Sequence, residues 1–281
     1  MSVGSDVYCD SLLILEHLEK IYPAKDGTYK NIGATNGTEY ALEKLFEKWT
    51  DIGVFGAAAA VIPSDMEMMK DPKFQEDREE LWGRPWTKVE QDKLRPAGLA
   101  NIRANFDFLE TVLSDGRDWV LGGRDGPKLA DVHACWIFDW LLSIPGALDE
   151  EYFNAKRYPR TSGWRDRYRD GVAKAKDSAP TPTVLDDQEA VKRVLSSGAV
   201  PGGLKFEKDP LGLAQGQEVQ MYPIDTGSSC KDAGKLVGLN SSEAVVSTTS
   251  NAHGKELRIH YPRWNFVVES VSGSNGTSNG H

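Results

Sequence analysis

Residues 5–23 read SDVYCDSLLILEHLEKIYP. The alternating run Val7-Tyr8-Cys9 predicts a short strand, and Asp10-Ser11 a polar corner. Leu12, Leu15 and Leu18, near one stripe, predict an amphipathic helix that Pro23 ends. Strand, corner, helix and proline make the closing piece of an α/β unit, here at the head of the sequence. A lone strand pair with one helix cannot bury a core of its own. The segment is therefore expected to dock on the helices that follow, to pair with another chain, or to fray.

Outward from this segment, residues 24–37 are rich in Gly, Asn and Thr and read as a linker. From Thr38, a plausible N-cap, the pattern turns helical as far as Ala60. Tyr40, Leu42, Leu45, Phe46, Trp49 and Ile52 form its apolar face, with Glu39, Glu43, Lys44, Glu47 and Lys48 opposite. A shorter helix is expected around MEMMKDPKFQEDREELWG, then a helix or helix pair carrying Leu99, Ile102, Phe106, Leu109 and Leu113 toward the exit at Gly116. Residues 129–144 are apolar on most sides, which predicts a central helix surrounded by others and stopped at Pro145-Gly146. Another helix, about 152–176, turns Tyr158, Trp164 and Tyr168 inward.

Composition changes after SAPTPTVLDDQEA. A short helix at 188–196 leads through SGAVPGG into five β-rich runs: QEVQMYP, KLVGLN, AVVSTTS, ELRIHYP and NFVVESV. In the fourth, Leu257, Ile259 and Tyr261 are read as inward, with Glu256, Arg258 and His260 outward. The fold class read from these parts is α+β, mainly α, with a small antiparallel sheet or barrel at the C-terminus. The segments are 1–23, a linker at 24–37, an all-α domain at 38–180, a helix and linker at 181–203, a β module at 204–271 and a disordered tail at 272–281.

The chain has 281 residues, 40% hydrophobic and 27% charged, with a formal net charge of −9. That acidic balance argues against nucleic acid or an anionic membrane as partner. The basic cluster KRYPRTSGWRDRYRD is interleaved with acids and reads as a solvated helix face. Three dispersed cysteines, Cys9, Cys135 and Cys230, argue against a disulfide framework or a Cys-type metal site. No apolar run nears the ~20 residues of a membrane span, and no signal-peptide pattern stands at the start, so a cytoplasmic location is expected.

Asp10 and Ser11 are the first candidate site. At a strand-to-helix junction, a ligand carboxylate can dock on the free N–H groups of the first turn and the Ser hydroxyl, while Asp10 holds an ammonium group. The competing reading makes one of them a plain N-cap. His133, Cys135 and Asp139 lie within two turns of the central helix. They read as a hydrogen-bonded core histidine, a small apolar filler and a neighbouring acid rather than a catalytic set. Asp131 reads as a helix cap. His17, His253, His260 and His281 show no metal-ligand spacing, and Trp82, Trp86 and Trp136 suit either a cavity wall or core packing.

The pattern YCDSLLILEHLEKIYP resembles the segment of glutathione S-transferases in which an acidic residue and a serine precede x-A-I-x-x-Y-L. In that family it is the last strand and helix of a thioredoxin-like domain. KLADVHACWIFDWLL is similar to the buried helix of the family's all-α C-terminal domain, with Lys128 in place of the capping Ser or Thr. ELRIHYPRWNFVVESV is similar to the closing strands of longer fungal members. The resemblance implies that Asp10 and Ser11 bind the γ-glutamyl end of glutathione, used as a co-substrate without a metal. The family's catalytic Tyr, Ser or Cys and its proline loop have no counterpart in the sequence, so no catalytic residue is assigned and little conjugating activity is expected. A longer reading frame supplying that part is one explanation. The implied partner is an electrophilic or isomerisable small molecule, by analogy one of secondary metabolism, and a homodimer is an option the family offers. The rival reading is a non-catalytic small-molecule-binding or scaffolding protein.

Overall fold

The computed structural model describes residues 1–22, 31–200, 202, 204–250 and 254–271. The expectations for Pro23, residues 24–30 of the linker, His253, His281 and the 272–281 tail fall outside them. Strands β1 (Ser2–Val3) and β2 (Asp6–Tyr8) and helix α1 (Ser11–Ile21) come first. Then follow α2 (Gly37–Lys48), a π-helical stretch (Trp49–Val54), α3 (Phe55–Ala60), α4 (Glu67–Lys70), α5 (Pro72–Trp82), α6 (Lys88–Val112), α7 (Leu129–Ser143), α8 (Pro159–Ser178) and α9 (Asp187–Ser196). The chain ends on β3 (Glu218–Pro223), β4 (Asp232–Leu239), β5 (Glu243–Thr249), β6 (Glu256–Pro262) and β7 (Phe266–Ser270). It divides into two compact units. One holds Met1–Ile21, Glu79–Arg84 and Pro182–His281, the other Tyr22–Arg78 and Pro85–Thr181.

The first unit is built on one seven-stranded sheet in the order β1-β2-β6-β5-β4-β3-β7. Its pairings are antiparallel except β2 with β6, which run parallel. Residues 1–21 thus neither dock on helices nor fray. They add two strands and a helix to the C-terminal β module, a partner none of the three expectations named. The sheet cannot be flat. β6 and β7 stand at opposite ends of five strands, a flat separation of about 19 Å, yet only residues 263–265 join them. Four Cα steps reach about 14 Å at most. The strands curl toward a barrel, with Asn265 at φ 59° turning the corner and a register shift between Leu236 and Gly238 bending β4. Inside the curl lie Val219, Met221, Leu236, Leu239, Ala244, Val246, Tyr261 and Val268.

The second unit is helical around α7. Ile137, Phe138 and Leu141 of α7 pack with Ile102, Phe106 and Leu109 of α6 and Trp164 of α8. α6 is one continuous helix despite Pro96, capped by the Thr87 hydroxyl, which accepts from the Glu90 N–H at 3.3 Å. Gly98 lets it pass close to α3, since a Cβ there would lie 2.9 Å from Val61 Cγ1.

Two expectations for α2 are overturned. Its cap is Asn36, whose side chain accepts from Thr38 N–H and Glu39 N–H, rather than Thr38. Its buried face is 43-46-47-50, carrying Glu43, Phe46, Glu47 and Thr50, while Tyr40, Leu42, Leu45 (64% exposed) and Ile52 face outward. Both stripes have helical spacing. The carboxylates can be buried because each is hydrogen-bonded: Glu43 accepts from Ala34 N–H at 3.0 Å, and Glu47 from Lys44 and Lys48 at 2.7 Å each.

Candidate functional site

The Asp10-Ser11 corner stands where the sequence placed it, between β2 and α1. Cys9 N–H donates to His260 O at 2.9 Å, the last ladder bond before the chain turns. Asp10 then adopts φ 68°, left-handed backbone that Asp tolerates better than most residues. Its Oδ1 accepts from Leu12 N–H at 2.8 Å, so Asp10 caps α1. The Ser11 hydroxyl and N–H make no hydrogen bond among the described residues, and Ser11 is exposed. Capping therefore occupies one Asp10 oxygen, and the serine's donors face outward.

Behind the corner lies a cluster that the sequence did not announce. The parallel register sets Asp6 opposite Arg258 and Tyr8 opposite His260, all on the sheet face away from the apolar core. Asp6, fully buried, accepts from Arg258 Nε at 2.6 Å and Nη2 at 2.7 Å, and from Val200 N–H at 2.6 Å. His260 Nε2 lies 2.9 Å from Asp6 Oδ1 and its Nδ1 3.3 Å from Glu243 Oε2. The Tyr8 ring stacks between His260 (4.4 Å) and His17 of α1 (4.0 Å). His260, read from alternation as outward, is thus buried.

Burial pushes the Asp6 carboxyl up, but hydrogen bonds from Arg258, His260 and Val200 outweigh it and hold it below the usual carboxylate range. The His260 hydrogen bond, against burial, holds Glu243 low as well. Burial, with Asp6 and Glu243 nearby, pushes the Tyr8 phenol up to about 12. Burial also raises the Cys9 thiol, with Asp10 and Asp232 adding to it. Neither Tyr8 nor Cys9 is therefore poised to ionise near neutrality.

In the helical unit Asp131 is fully buried. It accepts from Val120 N–H (2.9 Å) and the Trp164 indole (2.8 Å) on Oδ1, and from Lys128 N–H (2.9 Å) on Oδ2. The cap reading holds, extended to two further donors. Cys135 is buried, its thiol pushed well up by burial and the nearby Asp139 and Asp131. Asp139 binds Arg165 and Arg169 instead, both at 2.6 Å. His133 lies 3.6 Å from Glu47 Oε2. Trp86 is buried and Trp136 partly exposed. Among the described residues no group of three or more His, Cys, Asp and Glu side chains is arranged to hold a metal ion, and no helix is long and apolar enough to cross a membrane.

Residues 57–177 match a family described as a Domain of unknown function (DUF7962). No curated protein matches the chain. Among solved structures, a GST-like protein from Pseudomonas syringae superposes with a TM-score of 0.66 at 20% identity, over 96% of this chain and 80% of that one. The beta-etherase LigF from Sphingobium sp. strain SYK-6 gives a TM-score of 0.45 at 19% identity, over 59% and 73%. A glutathione S-transferase from Sinorhizobium meliloti 1021 gives 0.41 at 18%, over 59% and 66%.

Proposed function

We propose that this chain, whose fold is glutathione S-transferase-like, binds glutathione through the Asp10-Ser11 corner. In this reading the γ-glutamyl carboxylate takes the Ser11 N–H and hydroxyl at the amino end of α1, where the helix dipole favours negative charge. The Asp10 carboxylate then accepts from the glutamyl ammonium. The observation that carries it is the left-handed backbone at Asp10 beside a serine whose donors are unused. Non-glycine residues held in this region are enriched where ligands are clamped.

The reaction class in this reading is addition of the glutathione thiol to an electrophilic small molecule, or its isomerisation, with a natural product as substrate. Among the described residues, burial raises both groups beside the corner, the Tyr8 phenol and the Cys9 thiol, so neither is an acidified donor. Binding is therefore the first readout and turnover the second. A rival, a non-catalytic binding or scaffolding protein, draws on the same corner: Asp10 already has work as a cap.

Titration calorimetry of the full chain with glutathione decides between them. Expected are saturable binding in the micromolar to millimolar range and a loss of about tenfold or more in Ser11→Ala, the effect of one hydrogen bond to a charged group. Binding that Ser11→Ala and Asp10→Asn leave unchanged, or no binding at several millimolar, sinks the glutathione reading.

A further inference from the structure

Helix α9 is better built than its surroundings require. Asp186 and Glu189 form a complete capping box, with Glu189 N–H donating to Asp186 Oδ1 at 2.8 Å and Asp186 N–H to Glu189 Oε2 at 3.4 Å. Yet none of its residues is buried, and Val191 is 48% exposed. Gln188, Val191, Lys192 and Leu195 recur at i, i+3, i+4 and i+7, one face of a helix. These four, with Lys255 at the foot of β6, line an open groove of about 1010 Å³. Lys192 and Lys255 have no carboxylate partner among the described residues.

The groove thus pairs an apolar floor with two uncommitted ammonium groups. We propose that it binds an unbranched aliphatic carboxylate, the chain along Val191 and Leu195 and the carboxylate between Lys192 and Lys255. The stretch from Gln188 to Ser196 rises about 12 Å, with Lys192 at its midpoint. Asp187, at the first turn, lines the same groove and disfavours a carboxylate placed at that end. Covering the alkyl chain removes apolar surface from water, and the head group adds charge-assisted hydrogen bonds. The site is separate from the Asp10-Ser11 corner, neither residue of which lines this groove.

The test is calorimetric titration of the full chain with sodium decanoate below its micellar range, with 1-decanol as the uncharged match. Expected are one saturable site for decanoate, weaker binding of decanol, and affinity that rises with chain length from six to ten carbons. Lys192→Gln with Lys255→Gln should lower decanoate affinity by about tenfold per ammonium removed, while the double Arg variant retains it. Val191→Asp should abolish it, with an unchanged circular dichroism spectrum showing that the fold persists. Equal affinity for decanol, binding indifferent to both lysines, or a response only when micelles form overturns the proposal. So does binding of an acidic amphipathic peptide at the same face without any response to decanoate.

Discussion

Asp6 and Arg258, 252 positions apart, meet through two N–H···O bonds of 2.6 and 2.7 Å at the parallel junction of β2 and β6. Those bonds, with the His260 and Val200 contacts, fasten residues 1–21 to the C-terminal strands. Asp6→Ala leaves a half-buried guanidinium and a buried imidazole without their shared acceptor. The expected loss is about 3–5 kcal/mol from the sheet unit. Hydrogen exchange should quicken across residues 1–21 and 256–262 while α6 and α7 keep their protection. Exchange unchanged in the first 21 residues rules out the fastening role.

Asp6 and Glu243, the two carboxylates that face His260, set the acid limit. Asp6 and Glu243 both have folded values below their ordinary 3.8 and 4.5. A depressed carboxylate contributes stability that is fully present above its unfolded value and is lost as pH falls through its folded value. The sheet unit should therefore hold its stability down to about pH 4.5 and lose it progressively below that. Asp6→Asn should flatten this acid slope. Urea denaturation at stepped pH, followed by far-ultraviolet circular dichroism, measures it.

At the alkaline end the sign reverses. The Tyr8 phenol, raised from 10 to about 12, contributes stability that is complete below pH 10 and disappears as pH rises toward 12. Absorbance at the phenolate band should show Tyr8 among the last tyrosines to ionise, together with loss of the His17–Tyr8–His260 stack. Tyr8→Phe should retain the stack and remove that part of the alkaline loss. A Tyr8 that ionises at its ordinary value contradicts its burial between the two imidazoles.

The five C-terminal strands were legible because their β-formers alternate between Gly, Asn and Pro breaks, and α7 because few polar residues interrupt it. What covers residues 1–21 was not legible. A parallel pairing across some 250 residues leaves no local signature, since either strand reads the same with any partner. The orientation of α2 misled for a different reason. Leu42, Leu45 and Ile52 make the more apolar stripe, but Glu47 is paired by its helix neighbours Lys44 and Lys48, and Glu43 accepts from the Ala34 N–H that the folded chain brings to it. At the candidate site, the Asp10-Ser11 corner was readable as a strand-to-helix junction, whereas the Asp6–Arg258–His260 cluster behind it depends on register.

Asp131 is the corresponding polar anchor of the helical unit. Asp131→Ala strands the Trp164 indole and the Val120 and Lys128 N–H groups, two of them in the core. At ~1–3 kcal/mol for each buried orphan, a loss of about 3 kcal/mol is expected. Asp131→Asn keeps one acceptor oxygen, so it should cost less and spare either the cap or the indole bond. Trp164 emission and the thermal midpoint report both. Equal stability of Asp131→Ala and the parent chain refutes the anchoring role.

Gly98 tests how tightly α3 and α6 cross. A Cβ at this position would lie 2.9 Å from Val61 Cγ1, 3.0 Å from Ala57 O and 3.1 Å from the Ala60 Cβ, two of the three being backbone or β-carbon atoms that cannot swing aside. Helix propensity alone favours Gly98→Ala by about 0.8–1 kcal/mol. Overpacking of a well-filled contact costs about 1–3 kcal/mol. The collision should win, leaving Gly98→Ala less stable by about 1 kcal/mol or more. Gly56→Ala in α3, whose new methyl meets nothing within 4 Å, should instead gain stability from propensity. Chemical denaturation of the two variants side by side separates the effects: a stabilised Gly98→Ala means the two helices have room to part.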